Sequence, residues 1–239
     1  MNIALVGYGK MGKMIEEILT QTGSRVVGKV DFDYCKSLSD IKEKMDAVID
    51  FSHPDNLENT LSFSKQTGIP TVIGTTNLSE SQKALIRETA KHAPILYSAN
   101  YSLGVAVVKK AAKMLFDALG LDFDVEIIET HHNQKIDAPS GTAKAIADAI
   151  DPENNIPRIY GREGAVGARG REIGIHAVRG GTVAGEHKVM FFGTDETIEI
   201  RHEAISRKIF AKGACRAAEW LVGKDNGLYS MEHVLWGEG

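Results

Sequence analysis

The stretch 129–143, ETHHNQKIDAPSGTA, brings together side chains that could perform acid–base chemistry on an anionic ligand. An imidazole titrates near neutral pH, so His131 is a candidate proton donor to carbon or nitrogen. Lys135 adds a full positive charge, and His132 adds a further hydrogen-bond donor. Because successive strand residues point to opposite faces, both histidines can face one site only if the strand turns there, which the following Asn-Gln pair favours.

A helix is predicted to begin directly after these residues. Pro139 and Ser140 mark its start, with Ser140 as the N-cap, and GTAKAIADAI continues it. The free N–H groups, the hydroxyls and the positive end of the helix dipole are suited to a carboxylate. The predicted carboxylate site consists of His132, Lys135, Ser140, Gly141 and Thr142.

The histidine pair has two alternative interpretations. A zinc site is disfavoured, because the pair lacks a third ligand at metal spacing and the chain has no HExxH motif. A capped helix beside two hydrogen-bonded histidines would be the default for an isolated pair. The adjoining Lys135 and Ser140-Gly141-Thr142 favour a functional site, and no metal is predicted.

A second candidate site lies at the N-terminal end of the chain. VGYGKMG places Gly7, Gly9 and Gly12 in the GxGxxG spacing, between an apolar strand and a helix. In this context the glycines permit a tight turn, the approach of a pyrophosphate and close packing of helix on strand. The loop 7–12, which includes Lys10 and Met11, is therefore predicted to bind a dinucleotide.

The second strand ends at Asp31, at the distance along the chain expected for a carboxylate that binds the adenosine ribose. Asp31 should repel a 2′-phosphate, whereas Lys10, Lys29 and Lys36 could attract one. The residues therefore leave both NADH and NADPH open as the cofactor. Further candidate contacts follow later strands, since ligands of open α/β sheets bind at the carboxyl ends: Phe51, Ser52, Gly74, Thr75, Thr76, Ala99, Asn100 and Tyr101.

Short apolar runs alternate with amphipathic stretches over the first hundred or so residues, with NIALV, RVVGKVD, DAVIDFS, PTVIGTT and PILYSAN as strands. Helices are predicted between them, including SLSDIKEK. This spacing predicts an α/β fold with a doubly wound, Rossmann-type parallel sheet. A dinucleotide-binding domain is expected over residues 1–101, completed by the C-terminal segment 208–239, in which IFAKGACRAAEWLVG is predicted to be helical.

A different pattern follows residue 102: a helix over LGVAVVKKAAKMLFDAL, a strand over FDVEIIETHH, and further strands in IGIHAVRGG and HKVMFFGTDETIEIRHEA. Their alternation suits a sheet with one covered face. Residues 102–207 are thus predicted to form a second α+β domain with a mixed or antiparallel sheet. Between these strands, 151–171 is rich in Gly, Pro and charge and is predicted to be a mobile loop that closes over substrate.

The composition argues against several other classes of protein. The formal net charge of −4 offers no surplus of basic residues for nucleic acid or an anionic membrane surface. The two cysteines, Cys35 and Cys215, form no CxxC or zinc-ligand pattern. With no leader or membrane-length apolar run, we expect a cytoplasmic protein with a small-molecule substrate.

Several of these motifs together resemble the 4-hydroxy-tetrahydrodipicolinate reductases, also called dihydrodipicolinate reductases. ETHHNQKIDAPSGTA resembles the family's signature, and NIALVGYGKMG, GTT, SANYSLGV, GIHAVRGGTVAGEH and SRKIFAKGACRAAEWL resemble its other segments. The resemblance spans nearly the whole chain. It implies reduction of a dicarboxylate, the condensation product of aspartate semialdehyde and pyruvate, by NADH or NADPH in the diaminopimelate route to lysine. It also implies a homotetramer assembled through the sheet of the second domain.

The resemblance also implies roles for individual residues. His131 matches the family's general acid, Lys135 its second catalytic group, and His132, Lys135 and Ser140-Gly141-Thr142 its substrate contacts. The cofactor contacts given above match as well, and Phe210 lies in the returning segment near the cofactor. Phe32 follows Asp31 where many members have arginine, which leaves recognition of a 2′-phosphate open.

Two rival functions share the glycine loop. A nucleotide sensor would need no proton donor, so the cluster at His131 and Lys135 argues against it. A dehydrogenase of aspartate or of a semialdehyde shares the dinucleotide-binding half, but the latter requires a nucleophilic cysteine. Neither Cys35 nor Cys215 lies where such a nucleophile is expected.

Overall fold

The computed structural model describes residues 1–237, and positions 238 and 239 of the predicted C-terminal segment lie outside the described residues. The chain divides into two units, the first made of residues 1–103 with the segment from Lys208 onward and the second of Gly104–Arg207. The strands are β1 (Asn2–Val6), β2 (Arg25–Val30), β3 (Ala47–Asp50), β4 (Thr71–Ile73), β5 (Pro94–Tyr97), β6 (Asp124–His131), β7 (Arg158–Ile159), β8 (Ile173–Arg179), β9 (Glu186–Phe192), β10 (Thr197–Glu203) and β11 (Gly227–Tyr229). The helices are α1 (Lys10–Gln21), α2 (Leu57–Thr67), α3 (Glu80–Thr89), α4 (Leu103–Leu119), α5 (Gly141–Ile150), α6 (Lys208–Leu221) and α7 (Met231–Trp236).

The first unit is built on a parallel sheet with the order β11-β5-β4-β3-β1-β2. Helices α2 and α3 bury Leu61 and Ile86 against Ile73 and Ile95, while α6 lies against α1 and strands β3 to β5. The predicted doubly wound fold is confirmed. The strand order reverses between β1 and β3, and in sheets of this kind ligands bind outside the strand ends at that reversal.

The second unit contains a mixed sheet with the order β10-β9-β6-β8-β7. Strand β6 runs parallel to β8 and antiparallel to β9. Alternate residues of β6 are buried, starting at Val125 and Ile127, and they pack with Val189 and Phe191 beneath α4 and α5. The same alternation carries Glu129 and His131 to the covered face, because side chains two apart on a strand share a face.

The segment 151–171 contains the short strand β7 and is otherwise irregular. Two of its arginines tie it to β6: Arg162 bonds to Glu126 at 2.8 Å, and Arg169 bonds to Asp124 at 2.7 Å. Closure of this segment over substrate stays a prediction.

One predicted helix is wrong. SLSDIKEK forms only a single 3-10 turn at Leu38–Asp40, with Ser37 and Asp40 in a reciprocal capping box. At Ile41 the backbone becomes extended, and the Ile41 side chain fills the space above Gly28 of β2. Packing of Ile41 and Leu38 onto the sheet therefore overrides the helical pattern. Strand β11 and helix α7, at the far end of the chain, had not been predicted.

A glycine in α6 sets how closely this helix approaches the rest of the first unit. A Cβ at Gly213 would lie 1.7 Å from the carbonyl oxygen of Tyr101. Alanine gains about 1 kcal/mol over glycine in a helix, but an overpacked contact with backbone costs about 1 to 3 kcal/mol or more. The clash should therefore exceed the gain in helix propensity.

We predict that Gly213→Ala lowers the urea midpoint of unfolding, with a net loss of about 2 kcal/mol, which is the upper overpacking cost less the gain in helix propensity. Gly170→Ala is the control, because no heavy atom lies within 4 Å of a Cβ there. A Gly213→Ala protein as stable as the wild type would show that α6 does not make this close approach.

Candidate active site

The loop between β1 and α1 has the geometry that its glycines predict. Gly7 has a φ of +85°, and a Cβ there would lie 2.6 Å from the carbonyl oxygen of Phe51. A Cβ at Gly12 would lie 2.3 Å from the oxygen of Gly7. At Gly9, in contrast, nothing lies within 4 Å of a Cβ, so a ligand can approach the backbone at the start of α1. The loop thus leaves open space where a pyrophosphate would bind.

Asp31 directly follows β2 and is bonded to the glycine loop. Its carboxylate accepts hydrogen bonds from the backbone N–H groups of Tyr8 and Phe32, and the Phe32 side chain is 92% exposed. Lys29 pairs with Glu16 at 2.9 Å, so the positive charge of Lys29 is already balanced by a carboxylate within the protein. Beside the same strand end lies a cavity of about 280 Å³, whose lining includes Val6, Val30, Lys36, Asn56, Asn59 and Thr60.

A buried carboxylate that the sequence analysis missed holds the other strand ends together. Asp50 is fully buried at the end of β3, where it accepts hydrogen bonds from Ser52 Oγ at 2.7 Å, Thr60 Oγ1 at 2.6 Å and Thr75 Oγ1 at 3.0 Å. Burial raises its pKa, and these neutral donors lower it only in part. The sequence signal that could have identified Asp50 is the position of an acid inside the apolar run DAVIDFS.

The predicted cofactor contacts differ in whether their side chains are exposed or buried. The side chain of Tyr101 is buried, and its hydroxyl donates to the Ile73 carbonyl at 2.8 Å, so only its backbone could meet a ligand. Thr75 is likewise buried against Asp50, and the Phe51 ring covers Gly74. Lys10, Thr76 and Ala99 are exposed, and Met11, Ser52, Asn100 and Phe210 are half-buried.

In the second unit, β6 delivers Glu129 and His131 to one polar cluster. Glu129 is completely buried, and its Oε2 lies 2.6 Å from His131 Nδ1. The guanidinium of Arg179, on β8, donates to both carboxylate oxygens at 2.8 and 2.7 Å. Although burial raises the pKa of Glu129, the hydrogen bonds from His131, Arg179 and the N–H of Ser140 hold it at about 2.

Ser140 is the N-cap of α5, as predicted. Its Oγ accepts the N–H of Ala143 at 3.1 Å and lies 3.1 Å from Nε2 of His187, and its own N–H donates to Glu129 at 2.9 Å. Ser140 is 2% exposed, so its polar groups are used within the protein. The following Gly141 is exposed with nothing within 4 Å of a Cβ, so the helix terminus is open there.

Strand β6 ends at His131, and the chain turns at Asn133 and Gln134, as predicted. His131 is 9% exposed and His132 is half-buried. Lys135 Nζ donates to Asp137 Oδ1 at 2.7 Å, and that contact lowers the pKa of Asp137 against the opposing effect of burial. The structure therefore gathers an imidazole, an ammonium and an open helix terminus within one unit.

Comparisons with known proteins agree with this arrangement. Residues 1–101 match the family model for the dihydrodipicolinate reductase N-terminus, and residues 103–235 match the model for its C-terminus. The chain belongs to the dihydrodipicolinate reductase family. The family resemblance predicted from the sequence is thus confirmed over nearly the full length of the chain.

Individual relatives support the same assignment. The 4-hydroxy-tetrahydrodipicolinate reductase of Clostridium tetani is 42% identical, over 98% of this chain and 96% of that protein. The reductase of the same name from Exiguobacterium sibiricum is 41% identical, over 97% and 95%. In fold, the chain is similar to the dipicolinate-bound dihydrodipicolinate reductase of Paenisporosarcina sp. TG-14, with a TM-score of 0.75, 24% identity and coverage of 96% and 97%.

The described residues lack two other kinds of feature. Over residues 1–237, no helix is long and apolar enough to cross a membrane. In the same residues, no group of three or more His, Cys, Asp or Glu side chains could hold a metal ion.

The buried imidazole of His187 predicts a loss of stability in acid. Burial and, next, the neighbouring His131 lower the pKa of His187 from 6.5 to about 4. The unfolded chain therefore binds more protons than the folded chain between these values, and stability decreases as the pH falls from 6.5 towards 4. The contribution of His187 to this decrease is at most about 3 kcal/mol.

We predict that His187→Gln reduces the slope of unfolding free energy against pH in that window, measured by urea denaturation. His92→Gln, which changes an exposed histidine of the first unit, should leave the slope unchanged. Equal slopes in the His187→Gln and wild-type proteins would mean that His187 is not held neutral by burial.

Proposed function

We propose that the chain reduces 4-hydroxy-tetrahydrodipicolinate to tetrahydrodipicolinate with NADPH or NADH, in the diaminopimelate route to lysine. The observation that carries the proposal is the arrangement after β6, where a nearly buried imidazole precedes an ammonium and an open helix terminus. This arrangement suits a dicarboxylate substrate, because its negative charges must be bound and it must also receive a proton. The match of both halves of the chain to the family supports the same substrate.

The residues of the first unit fit a dinucleotide. The open space at Gly9 and the first turn of α1 suit a pyrophosphate, and Asp31 follows β2 where a ribose would bind. We assign the cavity beside Val30 to the adenosine end, since it adjoins that strand end. A bound nicotinamide supplies the hydride of the reaction. Asp31 disfavours a 2′-phosphate, while the exposed Lys10 and Lys36 favour one, so both cofactors stay in the proposal.

The second unit binds the substrate in this proposal. Lys135 and the first turn of α5, at Gly141 and Thr142, meet the carboxylates, and His132 adds a donor. Because the N–H and hydroxyl of Ser140 are engaged within the protein, Ser140 contributes by capping the helix. Lys135 must exchange its Asp137 partner for a substrate carboxylate.

His131 donates the proton that completes the reduction. Its Nδ1 faces Glu129, so Nε2 is the atom available to substrate. A Cβ at Gly185 would lie 3.0 Å from that Nε2, so a glycine there leaves room beside it. Lys135 is the second candidate donor of the proton.

We further propose that the protein assembles as a homotetramer through the open face of the second sheet. Side chains on that face include the large apolar groups Val178, 47% exposed, and Phe192, 37% exposed. Sedimentation would show a tetramer if this face is an interface between copies of the chain.

The rival dehydrogenase of a semialdehyde needs a reactive thiolate. Burial raises the pKa of the Cys215 thiol to about 12, so this thiol is not an activated nucleophile. Cys215 also lies in α6, where its sulfur faces the Ile15 carbonyl.

We predict that His131→Gln lowers kcat roughly 10²- to 10⁴-fold, because the positioned proton donor is lost. The dissociation constant of NADH, measured by fluorescence, should not change, since the glycine loop belongs to the other unit. His92→Gln is the matched control. Near-normal turnover by His131→Gln would exclude this role.

We predict that Thr142→Val raises KM for the dicarboxylate about tenfold, because one hydrogen bond to a carboxylate is worth about 1.5 kcal/mol. The KM of the cofactor should stay the same. Thr20→Val, at an exposed position late in α1, is the control. A substrate KM unchanged in Thr142→Val would remove Thr142 from the carboxylate site.

A further inference from the structure

The covered face of β6 carries one carboxylate that contacts both parts of the proposed substrate site. Both oxygens of Glu129 have two polar partners. Oε2 lies 2.6 Å from His131 Nδ1 and accepts from Arg179, while Oε1 accepts from Arg179 and from the N–H of Ser140. The same side chain is therefore bonded to the proton donor and to the N-cap of the helix that meets the substrate.

We propose that Glu129 is a positioning residue for the reaction, which fixes His131 with the proton on Nδ1 and so reserves Nε2 for the substrate. This inference rests on the proposed role of His131 as proton donor. In this inference, Glu129 is the group that sets the tautomer and the orientation of the His131 imidazole.

The charge of Glu129 fixes the direction of its hydrogen bond with His131. A pKa held at about 2 keeps the carboxylate ionised, and an ionised carboxylate only accepts hydrogen bonds. Nδ1 of His131 must therefore be the donor in the 2.6 Å contact. With Nδ1 protonated in both charge states, the proton that His131 gains and loses is the one on Nε2.

The proton passes from Nε2 of His131 to the substrate. The imidazolium of His131 breaks its Nε2–H bond as that proton forms a new bond to the substrate. The product imidazole keeps Nδ1–H on Glu129, and solvent returns a proton to Nε2. Glu129 stays ionised throughout, and Arg179 balances its charge.

The His187 ring limits the other positions that the His131 ring could adopt. The His187 ring packs edge-on against the His131 ring, with centroids 5.2 Å apart. His187 is also bonded through Nε2 to Ser140 Oγ. Glu129, His187 and the Ser140 cap therefore hold His131 on one side, with the space beside Gly185 on the other.

The first test is made on the wild-type protein. The ¹⁵N shifts and ring-proton couplings of His131, assigned by their loss in His131→Gln, should show the Nδ1–H tautomer at a pH where the ring is neutral. A wild-type His131 in the Nε2–H tautomer would overturn the proposal, whether or not any variant folds.

The second test is Glu129→Gln. The amide oxygen can still accept from Ser140 and Arg179, but the NH₂ then faces His131 Nδ1 and donates to it. We expect the Nε2–H tautomer and a fall in kcat of roughly 10²- to 10⁴-fold, with little change in KM for substrate or in NADH affinity. A loss of kcat with the tautomer unchanged, or an unchanged kcat, would overturn the proposal.

Glu88→Gln is the control. Glu88 lies on α3 in the first unit, where it pairs with Lys91 at 2.5 Å and lies 4.0 Å from Nε2 of His92. Its loss should leave kcat and the His131 tautomer as in the wild type. If Glu129→Gln does not fold, Glu129→Asp keeps the charge opposite Arg179 but withdraws it from Nδ1, and kcat should still fall.

A double variant separates this proposal from the proposed function. If Glu129 acts through His131, adding Glu129→Gln to His131→Gln should cause no further loss of kcat. Additive losses would mean that Glu129 acts elsewhere. A His131→Gln protein with full turnover would instead contradict the assignment of the proton donor, and the tautomer result would still stand.

Discussion

The buried charge of Glu129 is the constraint on which the second unit's site depends. An unpaired carboxylate inside a protein costs several kcal/mol, so its position is allowed only where donors surround it. Those donors come from three elements: Arg179 from β8, Ser140 from the start of α5 and His131 from β6 itself. Satisfying one anion thus fixes His131 and the start of α5 relative to each other.

The first unit also contains a buried carboxylate that joins separate elements, but the pKa of this group shifts in the opposite direction. Asp50 also ends a strand, is fully buried and joins loops that contain predicted ligand contacts. Its donors are neutral hydroxyls and a backbone N–H, so burial is not offset and its pKa is raised. Glu129 has a guanidinium among its donors, and its pKa falls to about 2. The presence of a positive partner therefore decides the direction in which the pKa of each buried carboxylate moves.

Much of the fold could be predicted because its signals are local. The glycine spacing, the apolar strands and the Ser140 cap each depend on neighbouring residues, and the structure shows all three. The helix expected after β2 failed because Ile41 packs onto Gly28 instead. Strand β11 has three residues and no apolar pattern, and it forms because β5 offers it an edge.

The connections within the candidate site could not be predicted from the sequence. The pairing of Glu129 with Arg179 spans 50 positions, and that of Ser140 with His187 spans 47, so no local pattern reveals them. Their consequence is that Ser140 serves the helix rather than exposing its hydroxyl. In the same way, the buried side chains of Tyr101 and Thr75 show that motif membership does not specify which atoms reach a ligand.

The central claim is that this chain reduces a dicarboxylate formed from pyruvate and aspartate semialdehyde. The most direct measurement follows oxidation of NADH and of NADPH when that substrate is generated in place by the enzyme that condenses the two precursors. We predict rapid oxidation of at least one cofactor that depends on both precursors. Tight binding of the dinucleotide with no oxidation would contradict the account and favour a nucleotide sensor or another dehydrogenase.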